Sequence, residues 1–586
     1  MQNFTVRNER EQQPRKKHGC LWTICIFILL YIGMCAWMGY MMGGMFSTPA
    51  TKLQNESVYR LQMNGVLVEQ GQANDPFANL LNATPYYNQD ETVGLDNLLD
   101  NIRLAKNDDR ILGIYLDGGS LSMAPASAKT LRDALLDFKT SGKWIIAYAS
   151  NYGQTNYYVA SVADKIYLNP TGAIDWNGLS AQKMYYTRLF DKLGIEMQIL
   201  KVGTFKSAVE PYFRTSMSEA DRLQTQQYLT GIWDEMKNAV SESRHIGVEQ
   251  LDQYADLYMG LQPAEKYVAA GMVDTLLYVQ DMDSILRMYS GTKNYNLLST
   301  NKLSLVERTP SKAKNKVAVV YAEGEITDDT GNGIVGTDMV KTLKKIAKDD
   351  NVKAVVLRVN SPGGSADASE QIWHAIQTLK QKGLPVVVSM GDYAASGGYY
   401  ISCGADYIFA EPTTLTGSIG IFGTVPNMSK VLDKVGLSID GVSTNRHSDL
   451  QTNMVYKGMN QDEFRMMQTM VERGYDLFTR RCADGRGMTQ DAIKAIGEGR
   501  VWLGKDAIAI GLVDALGNID NAVEKAVELA DMDSYQLAYY PEPTDPWADM
   551  LTLFDNTTDE ERLLMKVREF CSKPRVMALM PEVKIQ

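Results

Sequence analysis

The chain contains the same module twice. "SVADKIYLNP" (161–170) returns as "SCGADYIFAEP" (402–412), "LFDKLGIEM" (189–197) as "VLDKVGLSI" (431–439), and "GMVDTL" (271–276) as "GLVDAL" (511–516). Tyr157-Tyr158 likewise matches Tyr399-Tyr400. From about Ile145 to Lys206 the offset holds at 242 residues. A repeat this long is a duplicated domain and not a solenoid unit. Two similar cores also suit a length of 586 residues, which exceeds what one ordinary core supports.

Within each copy, short β-branched runs alternate with helix-period segments. "KVAVVYAEG" and "VKAVVLRV" read as buried strands. "SEQIWHAIQTLKQKG" reads as a helix with Ile372, Ala375, Ile376 and Leu379 on its inner face, and "LPVVVSM" as the next strand. His374 falls off that apolar face and reads as a solvated histidine. Strands alternating with helices predict an α/β fold with a largely parallel sheet in each repeat. The expected boundaries are 52–298 for the first repeat, a polar linker at 299–316, 317–545 for the second repeat, and a C-terminal tail at 546–586.

Residues 1–18 carry the basic cluster Arg15, Lys16, Lys17 and His18, followed by an uncharged run over 19–51. That run is long enough for a transmembrane helix. Bulky Trp37 after Ala36 spoils a small-residue cleavage site, so an uncleaved anchor is expected. The positive-inside rule then leaves the N-terminus in the cytoplasm and both repeats across the membrane. A net charge of −11 without a basic stripe argues against nucleic acid as a partner. Cys20, Cys25 and Cys35 lie in the apolar run, and Cys403, Cys482 and Cys571 show no C-x-x-C spacing. With no H-E-x-x-H and no Walker-type loop, neither a metal nor a nucleotide cofactor is expected.

The residue best placed for chemistry is Ser396 in "GDYAASGGYY" (391–400), where a strand is expected to turn into a short helix. Small neighbours leave such a serine exposed to a substrate, and the amide of Gly397 would point outward at the helix start. "VNSPGGS" (359–365) follows another strand, and Gly363 and Gly364 leave their amides unshielded by a Cβ. Two such donors would make an oxyanion hole. Both stretches read equally well as ordinary tight turns.

The repeat distinguishes the copies. Opposite Ser396 stands Gln154, and opposite the Gly pair stands "DGGSLS", without the proline. The first copy has Lys206 in "VGTFKSAVEP" (202–211), and 242 residues on the second copy has Ser448. One copy thus has lysine without serine, and the other serine without lysine. A desolvated lysine can serve as a general base, although a lone loop lysine is ordinarily a solvated charge. Ser418 in "LTGSIGIFG" (415–423) could orient the amine, and His447 is the rival base.

Together "NSPGGSADASE", "VSMGDYAASGGYYIS", "EPTTLTGSIGIFG" and "VGTFKSAVEP" resemble the signal peptide peptidase A (protease IV) family in its long, duplicated form. The resemblance covers nearly the whole chain, anchor included, and is weakest after about residue 540. It implies tandem ClpP/crotonase-like domains and a Ser/Lys dyad split between the repeats. Ser396 would be the nucleophile, Lys206 the general base and Ser418 the residue that positions it. Gly363, Gly364 and Gly397 would occupy the oxyanion-hole positions. In short members the lysine lies at a position resembling Ser448, so its absence there fits relocation of the base.

The resulting expectation is a serine endopeptidase anchored in a bacterial inner membrane, degrading apolar remnant signal peptides on the periplasmic side. The family also implies a homotetramer. A crotonase-type acyl-CoA enzyme and an inactive peptide-binding scaffold are the alternatives. The anchor disfavours the first, and the complementary retention of Ser396 and Lys206 disfavours the second.

Overall fold

Parallel strands buried on both faces read as unbroken apolar runs, because each side of the sheet is covered. The computed structural model places such runs at the centre of both repeats. It describes residues 52–71, 92–306, 312–542 and 575–580. The expected membrane span at 19–51 lies outside the described residues. Among the described residues no helix is long and apolar enough to cross a membrane.

In the first repeat β1 (Ser57–Val68), β2 (Ile111–Ser122), β3 (Trp144–Ala149) and β4 (Lys165–Leu168) pair side by side, all parallel. Three shorter strands complete a seven-stranded sheet. A further strand, β5 (Glu196–Lys201), leaves this sheet, and the long helix α1 (Glu219–Arg244) follows it.

The second repeat repeats the plan. β6 (Lys316–Glu323), β7 (Val352–Ser361), β9 (Val386–Ala395) and β10 (Tyr407–Ala410) form its parallel centre, with β8 (Gly363–Ser365) leaving between them. β11 (Leu415–Gly417) joins the end of β9 and pairs antiparallel with β13 (Val501–Leu503), while β12 (Phe422–Asn427) departs. Alternate residues face opposite sides. Val355, Leu357 and Val359 pack with Ile372, Ile376 and Leu379 of α2 (Ala366–Gln381). Ala354 and Val356 face the other side, with Ala522, Val523 and Ala526 of a helix at Ile519–Leu529. His374 is exposed, as its place on α2 predicts.

The duplication extends to single hydrogen bonds. The Tyr157 hydroxyl donates to the Met272 carbonyl at 2.8 Å, and the Tyr399 hydroxyl donates to that of Leu512 at 2.9 Å. Asp274 accepts from the Ile166 amide at 2.9 Å, and Asp514 from the Ile408 amide at 2.8 Å.

Two local features depart from the sequence reading. "GDYAA" does not begin the turn but continues β9 up to Ala395. The cause is a change of neighbour: the β7 register shifts between Val359 and Ser361, and β11 takes over pairing across Tyr393–Ala395. The start of the polar stretch 299–316 is also ordered, as a short helix at Thr300–Ser304 held by Asn101.

The strands that leave the two sheets meet. β5 of the first repeat pairs antiparallel with β12 of the second over six residues, from Phe422↔Lys201 to Asn427↔Glu196. They belong to a six-stranded sheet that also contains β8 and β14 (Arg575–Leu579). Each strand lacks a counterpart in the other repeat. The stretch matching β12 has no strand in the first copy, and the stretch matching β5 is exposed and irregular in the second. The two copies therefore share one pair of strands, and the described residues from Leu53 onward form a single compact unit.

Candidate active site

The pairing of β5 with β12 carries the loop after β5 into the second repeat. Gly203, at φ 107°, starts a turn, and the Phe205 amide donates to the Glu498 carbonyl at 2.9 Å. Gln224 on α1 fixes the loop from the other side. Its Nε2 donates to the Phe205 carbonyl at 3.1 Å and to Ser207 Oγ at 3.0 Å, while its Oε1 accepts from the Val501 amide at 3.1 Å. Lys206 emerges from this clamp fully buried.

Its amine meets Ser396. Lys206 Nζ lies 2.7 Å from Ser396 Oγ, 3.1 Å from Ser418 Oγ and 3.1 Å from the Ser418 carbonyl oxygen. Among the described residues no carboxylate pairs with it. Burial alone therefore pushes the lysine pKa well below its ordinary value of 10.5. A neutral amine has two N–H donors and one lone pair. The two Ser418 oxygens are placed to take those donors, and Ser396 Oγ is the third atom within hydrogen-bond distance of the amine.

Both serines are held in backbone conformations rare for any residue but glycine. Ser396 has φ 56° and Ser418 φ 50°. The Ser396 amide donates to the Gly417 carbonyl at 2.8 Å, and the Ser418 amide to that of Arg500 at 2.7 Å, which locks both turns. Ser396 immediately precedes α3 (Gly397–Ser402), so the Gly397 amide is the first of a helix and has no intrahelical acceptor.

The Gly pair lies against this helix start. A Cβ on Gly397 would fall 3.1 Å from both Gly363 Cα and Gly364 N, so the space exists only because residue 397 is glycine. Gly363 and Gly364 have φ 106° and 157°. The Gly363 amide donates to Ser361 Oγ at 3.2 Å, and Gly364 lies in the strand ladder of β8.

All six sequence-predicted residues therefore converge. The rival base does not. His447 Nδ1 faces Glu463 Oε1 at 3.6 Å, away from the serine. Ser448, opposite Lys206 in the repeat, is exposed and bonded to Asn445. Gln154, opposite Ser396, has become a clamp: its Oε1 accepts from the Asn177 and Gly178 amides, each at 3.0 Å.

Sequence reasoning missed Gln224 and Gly499. A Cβ on Gly499 would lie 2.6 Å from Lys206 Cβ. A lone glutamine in a long helix carries no signal, and Gly499 lies far from every motif.

The model of peptidase family S49 matches residues 137–290 and 378–533, once in each repeat. This chain belongs to that family. A Clp protease model also matches, at residues 310–414 in the second repeat. Protease 4 of Salmonella typhi is 40% identical over 464 residues, covering 77% of this chain and 74% of that one. Protease 4 of Haemophilus influenzae is 35% identical over 525 residues, covering 86% and 83%. A putative signal peptide peptidase SppA of Enterococcus faecium is 31% identical over 274 residues, 79% of its length but only 44% of this chain. The chain is thus a serine protease of the S49 family in its long form, with the module doubled.

Proposed function

We propose that the chain is an endopeptidase working by a Ser396/Lys206 dyad. The 2.7 Å contact between Lys206 Nζ and Ser396 Oγ in a fully buried setting carries this reading. Neutral Lys206 accepts the hydroxyl proton as Ser396 Oγ attacks a peptide carbonyl. The Gly397 amide and the Gly363-Gly364 turn receive the negative charge on the carbonyl oxygen. The Lys206 ammonium, held by Ser418, protonates the leaving amine. Water then attacks the acyl-enzyme by the same route, returning its proton through Lys206.

The substrate we infer is an extended apolar peptide paired with strand edges beside the serine. Remnant signal peptides, shed into a membrane, fit that chemistry and suit a protease anchored by residues 19–51 with its repeats on the periplasmic side. We further infer assembly as a homotetramer. Neither a metal nor an organic cofactor enters these steps.

Hydrolysis of an apolar peptide, compared across Ser396→Ala, Lys206→Ala and His447→Ala, tests the reading. Loss in the first two with survival of the third is expected. An active Lys206→Ala with an inactive His447→Ala would overturn the choice of base.

A further inference from the structure

The strand that carries Ser396 is held from the other repeat. β7 and β9 pair in register up to Val359↔Met390 and resume at Ser361↔Ala394, so Asn360 alone stands opposite Gly391, Asp392 and Tyr393. Extra residues of this kind bend a strand and re-aim whatever follows it. Here Ser396 follows. Off the β7 ladder, the bulged residues are held by side chains. Thr414 Oγ1 donates to the Gly391 carbonyl at 2.7 Å, and the Tyr393 amide donates to Asn360 Oδ1 at 3.1 Å.

Asp392 reaches across to a helix of the first repeat, Pro125–Lys139. Its Oδ1 accepts from the Ser127 amide at 2.9 Å and its Oδ2 from the Ser127 hydroxyl at 2.5 Å, and both residues are buried. The N-cap residue of this helix, Ala124, offers no side-chain acceptor. First-turn amides need one, and a carboxylate there also meets the positive end of the helix dipole. Asp392 therefore caps a helix of the first repeat while fixing a bend in the second.

One turn further on, Thr130 donates to Glu411 Oε1 at 2.7 Å. The Glu411 amide donates at 3.0 Å to Thr414 Oγ1, the hydroxyl that holds Gly391, and Thr414 leads into β11 and Ser418. Ser127 and Thr130 share a face of the helix, so one surface holds the approaches to both serines. The same helix is joined to the base. Arg132 donates to the Ala239 carbonyl of α1 at 2.9 Å, and α1 carries Gln224, which clamps the Lys206 loop. Lysine and nucleophile strand are thus both fastened to the first repeat.

We propose that Asp392 is a positioning residue: by gripping Ser127 it fixes the bend in β9 and sets Ser396 Oγ at its distance from Lys206 Nζ. This rests on the proposed dyad reading of the site. It gives the first repeat a second part in the reaction, besides supplying the lysine.

The test is the rate at which a peptidyl fluorophosphonate labels Ser396 in the full-length chain. Asp392→Ala should slow labelling by about 100-fold, the loss expected for a displacement of about 1 Å at a reacting group. Asp392→Asn should restore most of the rate, because an amide can accept from the Ser127 N–H and donate to its hydroxyl. Ser127→Ala reaches the same tie from the other repeat and removes one hydroxyl. It should slow labelling about tenfold. A residue that only held the repeats together would lower the unfolding midpoint and leave the labelling rate of the folded chain alone.

A double-mutant cycle with Lys206→Ala separates the two roles. Gly397 is bonded to Ser396 and moves with it, so the displacement acts on the spacing to the lysine. Without that lysine, adding Asp392→Ala should change the residual rate by no more than about twofold. If Asp392→Ala does not fold, Ser127→Ala and its own cycle with Lys206→Ala decide. Wild-type labelling in Asp392→Ala and Ser127→Ala, alongside a slow Lys206→Ala, would overturn the positioning role and leave the dyad standing. So would an equal loss from Asp392→Ala with and without Lys206. A Lys206→Ala chain that labels at the wild-type rate would overturn the dyad itself, and the positioning role with it.

Discussion

Glu69 and Arg358, from different repeats, form a two-point ion pair with contacts of 2.9 and 3.1 Å, and their side chains are 3% and 1% exposed. Arg358 also donates to Ser389 Oγ and the Met390 carbonyl, and Asn360 donates to Glu69. The pair therefore ties the first repeat to β7, the strand that leads into the Gly363-Gly364 turn. Removing one partner strands a buried charge. Glu69→Ala should cost about 3–5 kcal/mol in denaturant unfolding. Replacing both residues by methionine should recover most of that loss, since the desolvation of the charges disappears with them.

A second carboxyl beside this pair makes stability depend on pH. Burial, and then the Glu69 charge, push Glu323 from 4.5 up to about 7. The folded protein therefore binds a proton at this site more tightly than the unfolded chain does. Glu323 contributes stability that is fully present below the unfolded value of 4.5 and is lost as pH rises through about 7. The slope from one such group is at most about 1.4 kcal/mol per pH unit. Urea unfolding of Glu323→Gln should show a smaller fall in stability across that window than the wild type shows.

Gly499 tests how tightly the lysine is held. It has φ 78°, and a Cβ there would lie 2.6 Å from Lys206 Cβ and 2.7 Å from Lys206 Cα. Gly499→Ala must displace the lysine backbone. Because displacements of about 1 Å at a reacting group cost roughly 100-fold, peptidase kcat should fall by about that factor. The circular dichroism spectrum should be unchanged, since Gly499 and Lys206 both lie outside the helices and strands.

The strands, α2 and the serine–lysine pair were legible because the repeat supplied an internal comparison. Lys206 stood out against Ser448 at the same offset, and the stretch "VGTFKSAVEP" around it added to the family resemblance. The apolar runs of β6, β7 and β9 announced themselves by composition, since both faces of these strands are buried. What composition could not reveal was exchange between the copies. The pairing of β5 with β12 depends on each repeat lacking the partner the other retains, and no single segment records that. β9 ran past its apolar run because β11 pairs with its glycine-containing end. β14 was invisible for a related reason: "RVMAL" gains its place from edges supplied by β8 and β12, not from its own periodicity.

The central claim is that neutral Lys206 takes the Ser396 proton, and covalent labelling of Ser396 by a peptidyl fluorophosphonate across pH measures it directly. The labelling rate should rise with pH along a limb well below the ordinary lysine value of 10.5, because the free amine is the reactive form. In Lys206→Ala the limb should vanish and the rate should fall by about 100- to 10,000-fold. A Lys206→Ala protein that keeps the wild-type rate and pH profile would contradict the account.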